Sequence, residues 1–240
     1  MKFASLALCA LAVAAPARAD EALAPYVAEY DVRYGRMAVG TSRTELSRTG
    51  DGWVIETTTI ASGFARMIAT GTLRQRSRFE LTAAGPRPRS YLFDDGTRRT
   101  GRDVSLEFDW RAGRVRGTAE DEPVDLAVVA GLQDAASMQA AVLASLRAGR
   151  EPGTVAMIEK DRVKRYRYAY LREETLETAV GTLETVVYRS SREGSDRETL
   201  TWHAPALGYV PVLAEQTVKG KRGFQTIIRS FQGDVHLEAR

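Results

Sequence analysis

Cysteine is nearly absent from this chain of 240 residues, and its single occurrence is Cys9. Cys9 lies inside an N-terminal apolar segment that we expect to be removed on export. Lipoprotein processing needs a small residue directly before the modified cysteine, whereas Leu8 stands there. The mature chain then has no thiol, which excludes disulfides, thiolate metal sites and cysteine nucleophiles. Its stability must come from a hydrophobic core, which a chain of this length can form.

Long apolar runs are also missing. The most apolar run, residues 3–15, is too short for a membrane helix, which needs about 20 apolar residues. With a basic start before it and small residues after it, this run has the three-part pattern of a secretory signal peptide. We predict a signal peptide over residues 1–19, cleaved between Ala19 and Asp20. The mature protein is therefore expected in the periplasm, with residues 20–240 forming one domain.

Neither sign of charge dominates the chain. The formal net charge of +3 falls to +1 when the basic residues of the leader, Lys2 and Arg18, are removed. The densest basic stretch, residues 160–167, alternates with apolar side chains, as on the solvent-facing side of a strand. Attraction of anionic lipid headgroups or of a glycan is the alternative use of this stretch. The sequence shows no basic helix and no RNA-binding motif, so we expect no nucleic-acid partner.

Motifs for catalysis and metal binding are scarce. Only two histidines occur, His203 and His236, and neither has the spacing of a zinc site. The sequence contains no GxSxG elbow, no phosphate-binding glycine loop and no dinucleotide fingerprint. The carboxylate pairs at residues 94–95 and 173–174 are predicted to be solvated charges in loops, not the paired carboxylates of a glycosidase. We therefore predict no catalytic residues, no metal site and no cofactor.

Alternation of apolar and polar residues dominates the rest of the chain. A period of two is typical of strands with one solvent-facing side, and residues 26–34 follow it strictly. Glycine and proline separate the segments, as expected for turns. The predicted strands cover residues 26–34, 37–47, 53–61, 69–81, 90–93, 104–110, 115–118, 154–158, 164–171, 176–180, 182–190, 198–203, 212–218 and 224–231. We expect about a dozen antiparallel strands in one domain, and a frayed tail over about residues 233–240.

The period becomes helical in one place only, between residues 132 and 149. Leucine, alanine, Met138 and Val142 form one apolar stripe there. Asp134 is a plausible N-cap, because its carboxylate can accept hydrogen bonds from unpaired backbone N–H groups. Gly149 fits the position after the last turn. One helix over about residues 133–148 is expected to bury its stripe against the sheet.

Two aromatic–proline pairs lie close together near the end of the chain. Trp202 precedes Pro205, and Tyr209 precedes Pro211. Two prolines this close cannot both donate to a central ladder, so the segment is predicted to be a sheet edge or a corner between strands. We expect the aromatic side chains to pack in the core, with the mouth of a cavity as the alternative.

The order and spacing of these motifs resemble the DUF3108 family of uncharacterised exported bacterial proteins, over about residues 24–232. The resemblance rests on Tyr30, Val39-Gly40, Gly52-Trp53, Gly63-Phe64, residues 108–110, Gln133-Asp134, residues 181–185, Trp202, Pro205, Tyr209 and Pro211. It implies a mainly β fold in which a long antiparallel sheet curls into an open barrel or β-spiral, packed around one central helix. This architecture is similar to that of periplasmic lipoprotein carriers. The resemblance brings no catalytic residues.

A curled sheet with an apolar inner face encloses a concave space, which leads to two functional hypotheses. The first is a non-enzymatic envelope protein that binds a lipid, a lipoprotein or a protein partner through this face, in a dry cavity. The second is a hydrolase or glycan-processing enzyme, with ionisable groups converging in one cleft. We favour the first, because no catalytic constellation can be assembled from the residues present. The residues expected to line the cavity are Tyr30, Val32, Leu73, Phe79, Leu106, Phe108, Trp110, Met138 and Val142.

Overall fold

The computed structural model describes residues 22–67, 71–97 and 99–233. Within these ranges the chain forms one sheet of 14 strands and one α-helix. The strands before the helix are β1 (Tyr26–Tyr34), β2 (Met37–Thr49), β3 (Gly52–Ala61), β4 (Thr72–Thr82), β5 (Gly85–Asp94), β6 (Val104–Asp109), β7 (Arg114–Ala119) and β8 (Glu122–Ala127). The helix is α1 (Ser137–Arg147). The strands after it are β9 (Thr154–Glu159), β10 (Arg162–Thr178), β11 (Gly181–Arg192), β12 (Arg197–Ala204), β13 (Val210–Val218) and β14 (Lys221–Gly233).

The sheet is an antiparallel meander that is joined in its middle by the first and last strands. The strand order is β8-β7-β6-β5-β4-β3-β2-β1-β14-β13-β12-β11-β10-β9. Because β1 pairs with β14, residues close to the two ends of the described chain lie at the centre of the sheet. β8 and β9 are its two edges, so the sheet is open and not a closed barrel. The predicted mainly β, antiparallel fold is confirmed.

This topology puts two kinds of connection at opposite ends of the sheet. We use the term rim for the end that carries the β1–β2, β3–β4, β5–β6, β7–β8, β9–β10, β11–β12 and β13–β14 turns. We use the term base for the opposite end, which carries the β2–β3, β4–β5, β6–β7, β10–β11 and β12–β13 turns and both connections of α1. Each strand therefore has a rim end and a base end.

The hydrophobic core lies at the base, beside α1. Leu143 and Ala140 of the helix are fully buried in the same cluster as Trp53 and Phe79 of the sheet. The helix packs mainly against β5 and β4, and Gln139 donates a hydrogen bond to the Tyr26 hydroxyl of β1 (2.9 Å). Burial of this apolar stripe, more than intrinsic propensity, stabilises a helix of 11 residues.

Three features differ from the sequence expectations. The strands predicted at residues 164–171 and 176–180 are parts of one strand, β10, which ends at Thr178, because a bulge between Tyr170 and Arg172 restores the pairing with β11. The prediction of a loop at residues 173–174 is therefore wrong, because both residues lie in β10. The strand β8 (Glu122–Ala127) is absent from the predicted strands. The helix is shorter than expected and begins at Ser137.

The aromatic–proline segment is a corner at the base and not an edge. β12 and β13 both have a neighbour on each side, so neither is an edge strand. A short 3-10 turn over Pro205–Leu207 joins them, and a bulge at Trp202/His203 places Pro211 opposite His203. The predicted signal peptide, with its cleavage between Ala19 and Asp20, lies outside the described residues. The predicted frayed tail does too, except for Gly233, which is the last residue of β14.

Candidate functional site

A cavity of about 850 Å³ lies between α1 and one face of the sheet. Its lining residues come from β1–β4, from α1 and from β9–β14. Since strands from both halves of one sheet face the same cavity, the sheet curves around it. We call this cavity the cleft. It extends from Met138 and Val142 of the helix to the β11–β12 turn at the rim, residues 194–196.

The cleft has an apolar floor and hydrogen-bonding walls. Met138, Val142 and Met157 form the floor next to the helix, together with the rings of Tyr30 and Tyr168. The walls are lined by eleven side chains that carry a hydroxyl or an amide. They are Ser42, Thr44, Thr57, Gln75, Gln139, Ser190, Ser195, Thr199, Thr201, Gln216 and Thr226. Such a lining suits a ligand that has both apolar and polar parts.

Part of this polar wall is organised by pairs across two strands. Thr44 of β2 lies opposite Thr57 of β3, and their hydroxyls are 2.9 Å apart. Ser42 lies opposite Thr59 at 3.0 Å, and also donates to the Thr58 carbonyl (3.3 Å). Hydroxyl pairs at directly opposed positions stabilise an antiparallel ladder. Each hydroxyl keeps a further acceptor site, which a ligand or water in the cleft can use.

Charged side chains line the cleft only near the rim. Glu159 and Arg192 form an ion pair of 3.9 Å, and Asp196 and Arg197 come from the β11–β12 turn and the strand that follows it. Deeper in the cleft, His203 is the single ionisable lining residue apart from the tyrosines. The entrance of the cleft is therefore charged, whereas its walls are neutral.

His203 has a defined tautomer at the inner end of the cleft. It is buried, and its Nδ1 lies 2.8 Å from the carbonyl oxygen of Tyr209. A carbonyl can only accept, so Nδ1 carries the proton. Burial lowers the pKa of His203 from 6.5 to about 4, which keeps the ring neutral at pH 7. Its Nε2 is therefore an acceptor, and it has no hydrogen-bond partner among the described residues.

Of the nine residues expected to line a cavity, three do so: Tyr30, Met138 and Val142. Phe79, Leu106 and Phe108 are buried in the core cluster at the base, and Val32 is buried outside that cluster. Trp110 packs against the core and donates from Nε1 to the Pro88 carbonyl (2.5 Å). Leu73 is half-buried. The described cleft is thus more polar than the dry cavity that we expected.

The residues that sequence reasoning missed are the serine, threonine and glutamine side chains of the walls. The signal that was available is the inward-facing set of β12, where Thr199, Thr201 and His203 alternate with outward positions. Such polar inward positions look identical in sequence to solvent-facing ones, because only their neighbours in space differ.

Gln133 and Asp134, two of the family-motif positions, anchor the start of the helix rather than line the cleft. Gln133 forms a parallel bridge with Met157 of β9, and its side chain donates to the Pro86 carbonyl of β5 (2.8 Å). Asp134 accepts hydrogen bonds from the N–H groups of Ala136 (2.9 Å) and Ser137 (2.8 Å). Its other carboxylate oxygen accepts from the Ser77 hydroxyl of β4 (2.6 Å).

The capping role predicted for Asp134 is confirmed, although the helix itself begins three residues later. The Asp134 N–H in turn donates to the Ser137 hydroxyl (2.9 Å), which resembles a capping box. Asp134 is fully buried without a cationic side chain of the described residues beside it, and burial raises its pKa from 3.8 to about 6. The two residues therefore tie β9, β4 and β5 to the helix at the base.

The other four family-motif positions shape the corner that holds His203. Trp202 is buried, and its Nε1 donates to Glu174 Oε2 (3.0 Å). Pro205 begins the 3-10 turn, and Tyr209 then adopts a positive φ of 65° that directs its carbonyl to His203. The carbonyl of Pro211 accepts a hydrogen bond from the Tyr30 hydroxyl (3.0 Å). Pro211 also lines the cleft, so this corner forms part of its inner end.

One group of acidic side chains has the spacing of a cation site. The carboxylates of Asp94, Asp95 and Asp103 lie within 4.8 Å of one another at the β5–β6 turn. Each of them also accepts a backbone N–H of that turn: Asp94 from Gly96 (2.7 Å), Asp95 from Thr97 (2.9 Å) and Asp103 from Asp95 (3.3 Å). The convergence is thus explained by the hydrogen bonding of the turn.

Among the described residues, no helix is both long enough and apolar enough to cross a membrane. Two solved structures resemble the fold weakly. One is a candidate lipoprotein from Parabacteroides distasonis, with 8% identity over 88% of this chain and 96% of that one, at a TM-score of 0.37. The other is a candidate exported protein with a YmcC-like fold from Bacteroides fragilis, with 10% identity over 86% and 95%, at a TM-score of 0.38.

Among curated proteins none matches this chain. A family profile does match, and it covers residues 29–222. This range includes most of β1, all of β2–β13 and α1, and the cleft lining except Thr226, whereas β14 lies almost entirely beyond it. The matched segment contains all six motif positions from Gln133 to Pro211 that carried the resemblance in the sequence. The chain belongs to the DUF3108 family, whose members are described as proteins of unknown function.

Proposed function

We propose that this protein is a non-enzymatic binding protein of the bacterial cell envelope, which holds a lipid or the acylated end of a lipoprotein in the cleft. The observation that carries this proposal is the cleft itself, a cavity of about 850 Å³ with an apolar floor and walls of hydroxyl and amide groups. Its volume falls in the range of about 300–1,000 Å³ that is typical of small-molecule sites.

The two surfaces of the cleft select an amphipathic ligand. Covering Met138, Val142 and Met157 with an acyl chain removes apolar surface from water on both sides, at roughly 25 cal/mol per Å². The walls, by contrast, need hydrogen-bonding groups, since burying their hydroxyls against hydrocarbon would cost free energy. A molecule with an acyl chain and a glycerol, sugar or peptide head satisfies both requirements.

The distribution of ionisable groups supports binding over catalysis. Arg197 and His203 both line the cleft, but they are six positions apart on β12, about 20 Å at the usual rise per strand residue. General acid–base catalysis needs its groups within hydrogen-bond reach of one reacting centre. The alternative, a hydrolase or glycan-processing enzyme, would need two or more ionisable groups that converge on one reacting centre in the cleft.

The proposal also includes location and shape. The signal-peptide pattern of residues 1–19 supports export to the periplasm. The contacts of α1 with β4 and β5, and the hydrogen bond from Gln139 to Tyr26 of β1, support a sheet that curls around the helix as a central element. In that arrangement the helix closes the base, and the rim remains the route into the cleft.

Filling the cleft tests this proposal. Ala214 is half-buried and lines the cleft on β13, so Ala214→Trp places an indole in the cavity. The matched control is Ala127→Trp, at an exposed position on the edge strand β8. Native mass spectrometry of the mature protein from the periplasm reports any co-purified amphiphile. Fluorescence titration with anilinonaphthalene sulfonate reports saturable binding of a defined amphipathic probe.

We expect a bound species or saturable probe binding in the wild type, weakened at least about tenfold by Ala214→Trp, which corresponds to about 1.4 kcal/mol. Ala127→Trp should leave binding unchanged. A bare mass together with no saturable probe binding contradicts the proposal. So does a bound species that Ala214→Trp leaves in place, because its site is then outside the cleft.

A further inference from the structure

We propose that three neighbouring turns at the centre of the rim dock on the surface of an anionic lipid bilayer. We call this surface the rim patch. It consists of the β1–β2 turn, the described start of the β3–β4 connection (residues 62–67) and the β13–β14 turn, with the strand ends beside them. Its exposed side chains include Tyr34, Arg36, Met37, Arg66, Met67, Val218, Lys219, Lys221 and Phe224. The inference goes beyond the proposed ligand binding and does not depend on it.

The rim patch concentrates the exposed apolar side chains of the molecule. Nine large apolar side chains are exposed among the described residues, and six of them lie at these turns or in the strand ends next to them. Met67 is 76% exposed, Met37 65% and Phe224 52%. Scattered single apolar residues need no explanation, whereas a contiguous group marks an interaction surface.

The three turns form one surface because their strands are adjacent. The order β4-β3-β2-β1-β14-β13 places the β1–β2 turn between the other two. The rings of Tyr34 and Phe224 contact each other with centroids 5.2 Å apart, and Gly35 donates to the carbonyl of Gly223 (3.3 Å). Ser62, at the start of the third turn, donates to the Val39 carbonyl of β2 (2.9 Å). The apolar side chains therefore belong to one continuous part of the rim.

Charge distinguishes these turns from the rest of the rim. Residues 34–37, 62–67 and 218–224 contain five basic residues and no aspartate or glutamate. The other four turns of the rim all contain acidic residues: Asp94, Asp95 and Asp103, then Glu120, Asp121 and Glu122, then Glu159 and Asp161, then Glu193 and Asp196. Arg36, Arg66, Lys219 and Lys221 form no ion pair with any other described residue.

This combination fits a bilayer better than it fits a folded partner. Basic side chains next to an anionic leaflet gain free energy without a defined partner geometry, and aromatic and methionine side chains beside them enter the headgroup boundary. The β1–β2 and β13–β14 turns are two residues long, and together with exposed Arg66 and Met67 they present basic and apolar side chains next to one another. Val218 belongs to the patch and also lines the cleft, so docking places the cleft entrance at the lipid surface.

Vesicle co-sedimentation of the mature protein tests the rim patch. The probes are vesicles of equal parts phosphatidylglycerol and phosphatidylcholine, compared with vesicles of phosphatidylcholine alone. The charge variant is Arg36→Ser/Lys221→Ser. Its matched control is Arg99→Ser/Arg102→Ser, which removes the same charge from exposed positions in the acidic β5–β6 turn. The apolar variant is Tyr34→Ser/Phe224→Ser, at two exposed positions, with its fold checked by circular dichroism.

We expect binding to the anionic vesicles only, reduced at least about tenfold by the charge variant and by the apolar variant, and unchanged in the control. Added salt should weaken binding of the wild type, because the Debye length falls to about 3 Å at 1 M. An equal loss in the control overturns the proposal, since net charge alone then explains the binding. Absence of vesicle binding also overturns it and leaves an acidic protein as the occupant. Ala214→Trp should bind vesicles like the wild type, which separates this test from that of the cleft.

Discussion

The base and the rim of this protein are made of the same strands but of different side chains. On the inward face of β4, Phe79 and Ser77 near the base are fully buried, whereas Gln75 nearer the rim lines the cleft. On β12 the same direction leads from buried His203 through Thr201 and Thr199 to Arg197. The base therefore supplies stability, while the rim half keeps space and hydrogen-bonding groups that stability alone does not need.

Polar groups in the two regions also have different partners. Two buried polar side chains at the base, Asp134 and Ser137, are satisfied by the backbone and by Ser77. In the walls of the cleft, Thr44 and Ser42 pair only with other hydroxyls and one carbonyl. Buried polar groups that are fully paired specify one structure, and partly paired ones remain available to a ligand.

The largest expected contrast comes from shortening one side chain in each region. Phe79→Ala leaves a cavity in the core at the base, and we expect it to lower the free energy of unfolding by about 3–5 kcal/mol. Thr226→Ala removes a half-buried hydroxyl and methyl from the cleft wall and should cost less than about 1 kcal/mol. Guanidinium denaturation of both variants measures the difference. Equal losses would contradict the division into a stabilising base and a permissive cleft.

The next contrast uses pH, because the two buried ionisable groups have pKa values shifted in opposite directions. Asp134 binds its proton more tightly in the folded protein, so its stabilising contribution is full below pH 4 and is lost as the pH rises through about 6. His203 binds its proton less tightly, so its contribution is full above pH 6.5 and is lost as the pH falls toward 4. Each effect is worth about 3 kcal/mol, and between pH 4 and 6 they oppose each other.

Removing either group should expose the effect of the other. Relative to the wild type, Asp134→Asn should gain stability between pH 4 and 6, because the variant no longer pays for ionising a buried carboxyl. Relative to the wild type, His203→Asn should gain stability as the pH falls from 6.5 to 4, and its amide can still donate to the Tyr209 carbonyl. The free energy of unfolding measured at several pH values gives both differences. Two differences that do not change with pH would show that neither group is buried as described.

The comparison also shows how much the sequence could predict. The alternation in residues 26–34 predicts β1 with its observed bounds, and the helical period predicts α1 within four residues at its start. β8 has no such signal, since its turn uses Glu120 and Asp121 at φ values of 55° and 65° where glycine or asparagine would be expected. The bulge that keeps β10 continuous depends on pairing with β11, which local sequence does not encode.

The cleft was harder to predict than the fold because period-two alternation gives the face of a side chain and not its height on the sheet. Phe79 and Gln75 share one face of β4, but they are four positions apart, about 13 Å along the strand, so Phe79 lies in the core and Gln75 in the cleft. The position of each strand relative to α1 decides which level a residue occupies. The acceptor at Nε2 of His203 depends further on the positive φ of Tyr209, which only the folded corner shows.

The smallest expected effect tests a hydrogen bond that crosses from the first half of the sheet to the corner beside the cleft. The Tyr30 hydroxyl donates to the Pro211 carbonyl, and its ring lies in the floor of the cleft. Tyr30→Phe keeps the ring and removes this bond, so we expect a loss of about 1 kcal/mol in the free energy of unfolding. Binding of anilinonaphthalene sulfonate should change less than in Ala214→Trp, because the volume of the cleft is preserved. A loss of binding as large as that of Ala214→Trp would mean that the position of the corner determines affinity more than the space in the cleft does. The base and the cleft would then be coupled through Pro211.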